Sequence, residues 1–151
     1  MAEFEVVRTA VVAAEASRVH GLIGNFHEWT KWSPWEDVDP ELHRTYTGPE
    51  SGVGARYAWK GNRKAGAGNM EIVADAEREI GVRLEFEKPM KAVHQVTFTL
   101  NPVAEGTEVA WRMTGRQTGL MALVSKVVSM DKFVGKDFEK GLARLKAAAE
   151  S

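Results

Sequence analysis

Cysteine is absent from the 151 residues, so neither a disulfide framework nor a thiolate-held metal is open to this chain. A chain without thiols suits a reducing compartment, and the expected location is the cytoplasm. Long hydrophobic runs are missing as well. No uninterrupted apolar stretch approaches the ~20 residues that span a bilayer, so no integral membrane association is expected. The opening Met1-Ala2-Glu3-Phe4-Glu5 has two glutamates and no basic flank, unlike a signal peptide. Charge of one sign is lacking too: 20 basic and 21 acidic side chains leave a net −1. That balance gives no electrostatic reason to expect nucleic acid or an anionic membrane as partner.

The usual chemical motifs are also missing. Gly48, Gly52 and Gly54, then Gly61, Gly66 and Gly68, form glycine-rich clusters, but neither spells a phosphate-binding or dinucleotide-binding loop. They read as turns and kinks in a bent sheet. The four histidines, His20, His27, His43 and His94, have no metal-ligand spacing, so no metal and no cofactor is expected. No serine sits in a G-x-S-x-G elbow, and Ser33 and Ser51 lie in turn-rich segments.

What the chain does have is periodicity, and five tryptophans. Its length fits one domain over 1–151, able to bury roughly 68–70% of the surface its unfolded form exposes. Phe4–Ala13 reads as a strand. Val19, Leu22, Ile23 and Phe26 then fall at helical spacing. Pro34 stops any helix running on through Trp29 and Trp32, and Asp39-Pro40 adds a second break. Six short β-like runs follow: Leu42–Thr47, Val53–Gly61, Gly68–Ala76, Ile80–Lys88, Lys91–Leu100 and Thr107–Arg116. The connections between them are short, the last being Asn101–Gly106, so neighbouring strands should form antiparallel hairpins. No βαβ period appears. From Gly119 to Ala149 the spacing is helical again. Gly135 inside that segment predicts a kink or a close approach to another backbone.

Alternation assigns one apolar and one charged face to each strand. The apolar sets are Val53/Ala55/Tyr57/Trp59, Met70/Ile72/Ala74, Val82/Leu84/Phe86, Ala92/His94/Val96/Phe98/Leu100 and Val109/Trp111/Met113. Phe86, Phe98, Trp111 and Met113 should be nearly buried, and Glu85, Glu87 and Arg112 accessible. Glu71, Asp75, Glu85 and Glu87 fall on the charged face, where Arg83, Arg112 or Lys60 should meet them across strands.

His94 is the one polar residue on the inward face. It could orient a ligand oxygen or act as acid or base, or it could simply be hydrogen-bonded to backbone or to the first helix. The segment Trp29-Thr30-Lys31-Trp32-Ser33-Pro34-Trp35 has two readings as well: core packing at one end of the sheet, or a wall at a pocket entrance.

Trp32-Ser33-Pro34-Trp35 with Asp39-Pro40 resembles the SRPBCC (START-like) superfamily, in its polyketide cyclase/dehydrase and lipid-transport branch. So do Tyr46-Thr47-Gly48-Pro49, Gly52-Val53-Gly54, Trp59-Lys60-Gly61-Asn62 and Gly66-Ala67-Gly68. Gly106-Thr107-Glu108-Val109-Ala110-Trp111 is similar to that superfamily's final strand, and Phe138-Glu139-Lys140-Gly141-Leu142 to its closing helix. The resemblance implies an α+β helix-grip fold. A curved antiparallel sheet of about seven strands would wrap a long C-terminal helix, with one or two short helices after the first strand.

The resemblance also implies a small apolar or amphipathic ligand, lipid-, polyketide- or aromatic-like, held between sheet and helix. The residues expected against it are Trp32, Trp35, Tyr57, Trp59, Met70, Phe86, His94, Phe98, Trp111, Met113, Met130, Val134 and Phe138. Large polarizable side chains in this number suit a guest more than a core built only to be filled. Two alternatives stand beside binding. One is a cyclase/dehydratase-type enzyme with His94, Tyr57 or Tyr46 moving protons. The other is a co-chaperone-like domain with a protein partner.

Overall fold

The computed structural model describes residues 2–36, 39, 41–62, 65–88, 91–117 and 130–151. Strand β1 (Ala2–Val12) leads into helix α1 (Ala16–Ile23) and a 3-10 helix (Phe26–Lys31). Six strands follow: β2 (His43–Thr47), β3 (Arg56–Lys60), β4 (Ala67–Ala76), β5 (Glu79–Lys88), β6 (Ala92–Val103) and β7 (Gly106–Gln117). Helix α2 (Met130–Glu150) closes the chain. All pairings are antiparallel, in the order β1-β7-β6-β5-β4-β3-β2. Short hairpins link β2 through β7 in sequence, while β1 crosses over to join β7. This is the helix-grip α+β architecture that the resemblance implies. The expected helical stretch 119–129 lies outside the described residues.

Helix α1 buries Val19, Leu22 and Ile23, and the helical spacing breaks at Gly24 before it reaches Phe26. Asn25 then caps the 3-10 helix by accepting from the His27 N–H at 2.9 Å. Helix α2 packs across β1 and touches α1. Arg18 of α1 donates to the last carbonyls of α2, those of Ala148 and Ala149, which have no partner inside a helix end. Gly135 marks a close approach, as expected, but to a side chain rather than to backbone. A Cβ there would lie 2.1 Å from Nη2 of Arg8, which points inward from β1 and pairs with Glu139 of α2 at 2.9 Å.

Several expectations are corrected. The run placed at Val53–Gly61 begins as a strand only at Arg56, and Val53 is 60% exposed. Gly52 and Gly54 flank it at φ 80° and 95°, which makes a turn instead. Ala74 faces out and Asp75 faces in, the reverse of the alternation. A register shift between Ile72 and Ala74 inserts one residue and exchanges the faces beyond it.

Asn101 to Val103 and Gly106 belong to strands, leaving only Ala104-Glu105 as the turn. Pro102 fits within β6 because pairing with β5 ends at Thr99, so no neighbour needs its missing N–H. The carboxylates pair otherwise than expected, in partner for Glu71 and Asp75 and in geometry for Glu85. Glu71 meets Arg56, Asp75 meets His20 at 2.6 Å, and Arg83 pairs with Glu85 on its own strand. Phe98, Trp111 and Met113 are buried and Arg112 and Glu87 exposed as expected, whereas Phe86 and Glu85 are half-buried.

Candidate functional site

Register places the inner face in rows that run across the sheet. One row is Phe4, Gly115, His94, Leu84, Met70, Tyr57 and Tyr46, from β1 to β2. The row beside it is Ala92, Phe86, Gly68, Trp59 and Arg44. Rings from these two rows touch in an unbroken series. Centroid separations are 5.2 Å for Tyr46–Tyr57, 6.2 Å for Tyr57–Trp59 and 5.7 Å for Trp59–Phe86. The series continues at 5.7 Å for Phe86–His94 and 5.1 Å for His94–Phe4.

The two strands that give this belt no ring give it glycine instead. A Cβ at Gly68 would lie 2.6 Å from Trp59, and one at Gly115 would lie 2.3 Å from Nδ1 of His94 and 2.9 Å from Phe4. Glycine thus opens the space into which the neighbouring rings lean. Tyr46, Trp59, Leu84, Phe86 and Phe4 are half-buried, so the belt is an apolar surface still partly open.

A second aromatic group is packed shut. Trp29, Trp32, Phe98, Trp111 and Phe138 are each at most 6% exposed. Trp111 stacks on Phe138 at 4.1 Å with a 7° interplanar angle. Trp29 and Trp32 lie 4.5 Å apart, and their indole N–H groups donate to the carbonyls of Ile23 and Leu22. Trp35, 40% exposed, meets this group edge-on.

Of the residues read from sequence as ligand contacts, Tyr57, Trp59, Met70, Phe86 and His94 therefore come together on the belt. Met113 lies in the buried row beneath it, beside Val6 and Val96. Trp32, Phe98, Trp111 and Phe138 sit in the packed group, with Trp35 on its rim. Val134, on α2, is half-buried against the core. Met130 begins α2, and its side chain is outside the described residues. Phe4, Leu84, Arg44 and Glu36 join the site from the structure. Of these, Leu84 already stood on an apolar face by alternation, and Phe4 was legible from its alternation with Val6, Ala10 and Val12.

The belt has polar groups at both ends. His94 is 8% exposed, and Nδ1 has no hydrogen-bond partner among the described residues. Burial lowers its pKa, so the ring is held neutral. At the β2 end, Arg44 donates from Nη2 to Oε2 of Glu36, while its buried Nε has no acceptor among the described residues. Burial opposes the Arg44 charge, but the Glu36 carboxylate outweighs it and raises the pKa. Burial, with Glu36 behind it, pushes Tyr57 up to about 12. Tyr46 is raised mainly by burial. A recess of about 200 Å³ adjoins this end, lined by Phe26, His27, Tyr46, the stretch Thr47–Glu50, Ala55 and Arg56. Among the described residues no group of three or more candidate metal ligands occurs, and no helix is long and apolar enough to cross a membrane.

No curated protein matches the sequence. Solved structures do match the fold. The Chromobacterium violaceum protein CV1439 aligns with TM-score 0.70 at 14% identity, over 97% of this chain and 98% of that one. Major latex-like protein 151 of Panax ginseng aligns with TM-score 0.69 at 14% identity, over 99% of both chains. DynU16, from the dynemicin biosynthetic locus, aligns with TM-score 0.64 at 16% identity, over 97% of this chain and 47% of that one. At such identities the likeness is one of fold. The family model described as polyketide cyclase / dehydrase and lipid transport matches residues 3–150. With that match and the helix-grip sheet together, the chain belongs to the SRPBCC-type polyketide cyclase/dehydrase and lipid transport family.

Proposed function

We propose that this protein binds a small, flat, apolar or amphipathic molecule against the aromatic belt, between the sheet and α2. The observation that carries the reading is a continuous run of partly open rings around a buried imidazole nitrogen that has no partner among the described residues. Covering such a surface removes apolar area from water at roughly 25 cal/mol per Å². A neutral His94 supplies one polar contact without the desolvation cost of a charge. Proton transfer would ask for a group that holds or activates the imidazole, and Nδ1 has none among the described residues, so binding is preferred to cyclase or dehydratase chemistry. The family description names polyketides and lipids, and ligands of those kinds suit the belt. The cysteine-free composition makes the cytoplasm the proposed setting.

The test is a fluorescence titration with phenylnaphthylamine, an uncharged aromatic probe. One saturable site that quenches or shifts tryptophan emission is expected. Val134→Trp, which adds bulk on α2 toward the sheet, should weaken the probe at least about tenfold while circular dichroism stays native. Unsaturable binding, or binding indifferent to Val134→Trp, contradicts the proposal. So does outright unfolding of the variant, because over-packing by about 1–3 kcal/mol is the mark of a solid core.

A further inference from the structure

We infer that Glu36 sets the charge selectivity of the belt: by occupying the guanidinium of Arg44, it makes the β2 end a receptor for an uncharged oxygen acceptor and excludes carboxylates and sulfonates. The inference rests on the binding reading and assigns the ligand's polar group.

Arg44 lies on the inner face of β2, opposite Trp59, with exposed His43 and Thr45 on either side. Glu36 arrives from a different part of the chain, the turn after the 3-10 helix, where its N–H donates to the Ser33 carbonyl at 3.3 Å. Their side chains are 28% and 15% exposed. Left to itself, a half-buried guanidinium beside apolar rings is an anion site, because its fork matches a carboxylate or sulfonate with two parallel hydrogen bonds. Glu36 already engages one arm of that fork. The pair carries no net charge, and an incoming anion would meet the Glu36 carboxylate at close range.

Of the guanidinium donors that remain, Nε is buried and has no acceptor among the described residues. A single N–H suits a ketone, ether or hydroxyl oxygen. The surrounding groups agree. Tyr57 keeps its proton, because burial and Glu36 outweigh the charge and hydrogen bond of Arg44, so the hydroxyl beside Arg44 stays neutral. His94, at the far end of the belt, is neutral too and adds no charge that would hold an anion.

Two probes with the same rings isolate the charge: phenylnaphthylamine, which is neutral, and anilinonaphthalene sulfonate, which is anionic. Only binding that each probe can displace from the other is counted. Wild-type protein should hold the neutral probe about tenfold or more tighter. In Glu36→Gln the affinity of the anionic probe relative to the neutral one should rise about tenfold. Adding Arg44→Met to Glu36→Gln should abolish the gain. Equal affinities in wild type overturn the inference, and this arm needs no variant to fold. An unchanged ratio in Glu36→Gln, or a gain that survives Arg44→Met, overturns it as well. In each of these cases the neutral probe still binds, and the binding reading stands. If the neutral probe fails to bind wild type, the binding reading falls and the selectivity rule falls with it.

Discussion

His94 concentrates the residue-scale physics of the site. It is an ionisable group 8% exposed, ringed by Phe4 and Phe86, and kept neutral by burial. Its pKa lies below the ordinary 6.5, so as pH falls the unfolded chain takes up this proton before the folded one does. The neutral ring's contribution is therefore complete above about pH 6.5 and is lost as pH drops toward the lowered value. Urea unfolding between about pH 7.5 and about pH 5 should show a shallower loss of stability in His94→Gln than in wild type, the difference bounded by about 1.4 kcal/mol per pH unit for one proton. Parallel slopes would mean that His94 is not held neutral in the folded state. Alternation alone picked out His94, because it is a polar residue in a row of apolar ones. Arg44 and Glu36 were not legible in that way. Eight positions separate them in the chain, and only tertiary structure shows that they pair.

Elements show where periodicity succeeds and where it is overridden. Faces came out correctly along β6 and β7, where pairing runs without interruption through long registers. They failed in β4, where one inserted residue turned Asp75 inward, toward His20 on α1. No count of apolar positions reveals a bulge, because both registers satisfy the pattern up to Ile72. The contact between α2 and β1 is the element-scale prediction. Alanine at 135 should favour the helix by about 1 kcal/mol, but its Cβ would occupy the seat of the Arg8 guanidinium. Gly135→Ala is therefore expected to be neutral or destabilising in wild type and stabilising by about 1 kcal/mol in an Arg8→Ala background, as read by urea denaturation. An equal gain in both backgrounds would show that Arg8 does not rest on Gly135.

At the scale of the whole molecule, the order of strands and helices and the antiparallel plan were readable, because short turn-rich connections leave few ways to pair neighbours. The division of the aromatic residues was not. Composition and spacing point to many large inward rings, but not to their separation into a closed group stacked on Phe138 and a partly open belt. That division depends on where α2 crosses, on the β1 side, and on Gly68 and Gly115, which let rings lean across two strands. The claim that the belt is the ligand surface is tested most directly by a nuclear magnetic resonance titration with phenylnaphthylamine, following assigned ring and methyl signals. Shifts should concentrate on Phe4, Trp59, Phe86, His94 and Val134, and leave Trp29, Trp32 and Phe98 nearly unmoved. Shifts confined to the outer face, or no saturable shifts anywhere, would contradict it.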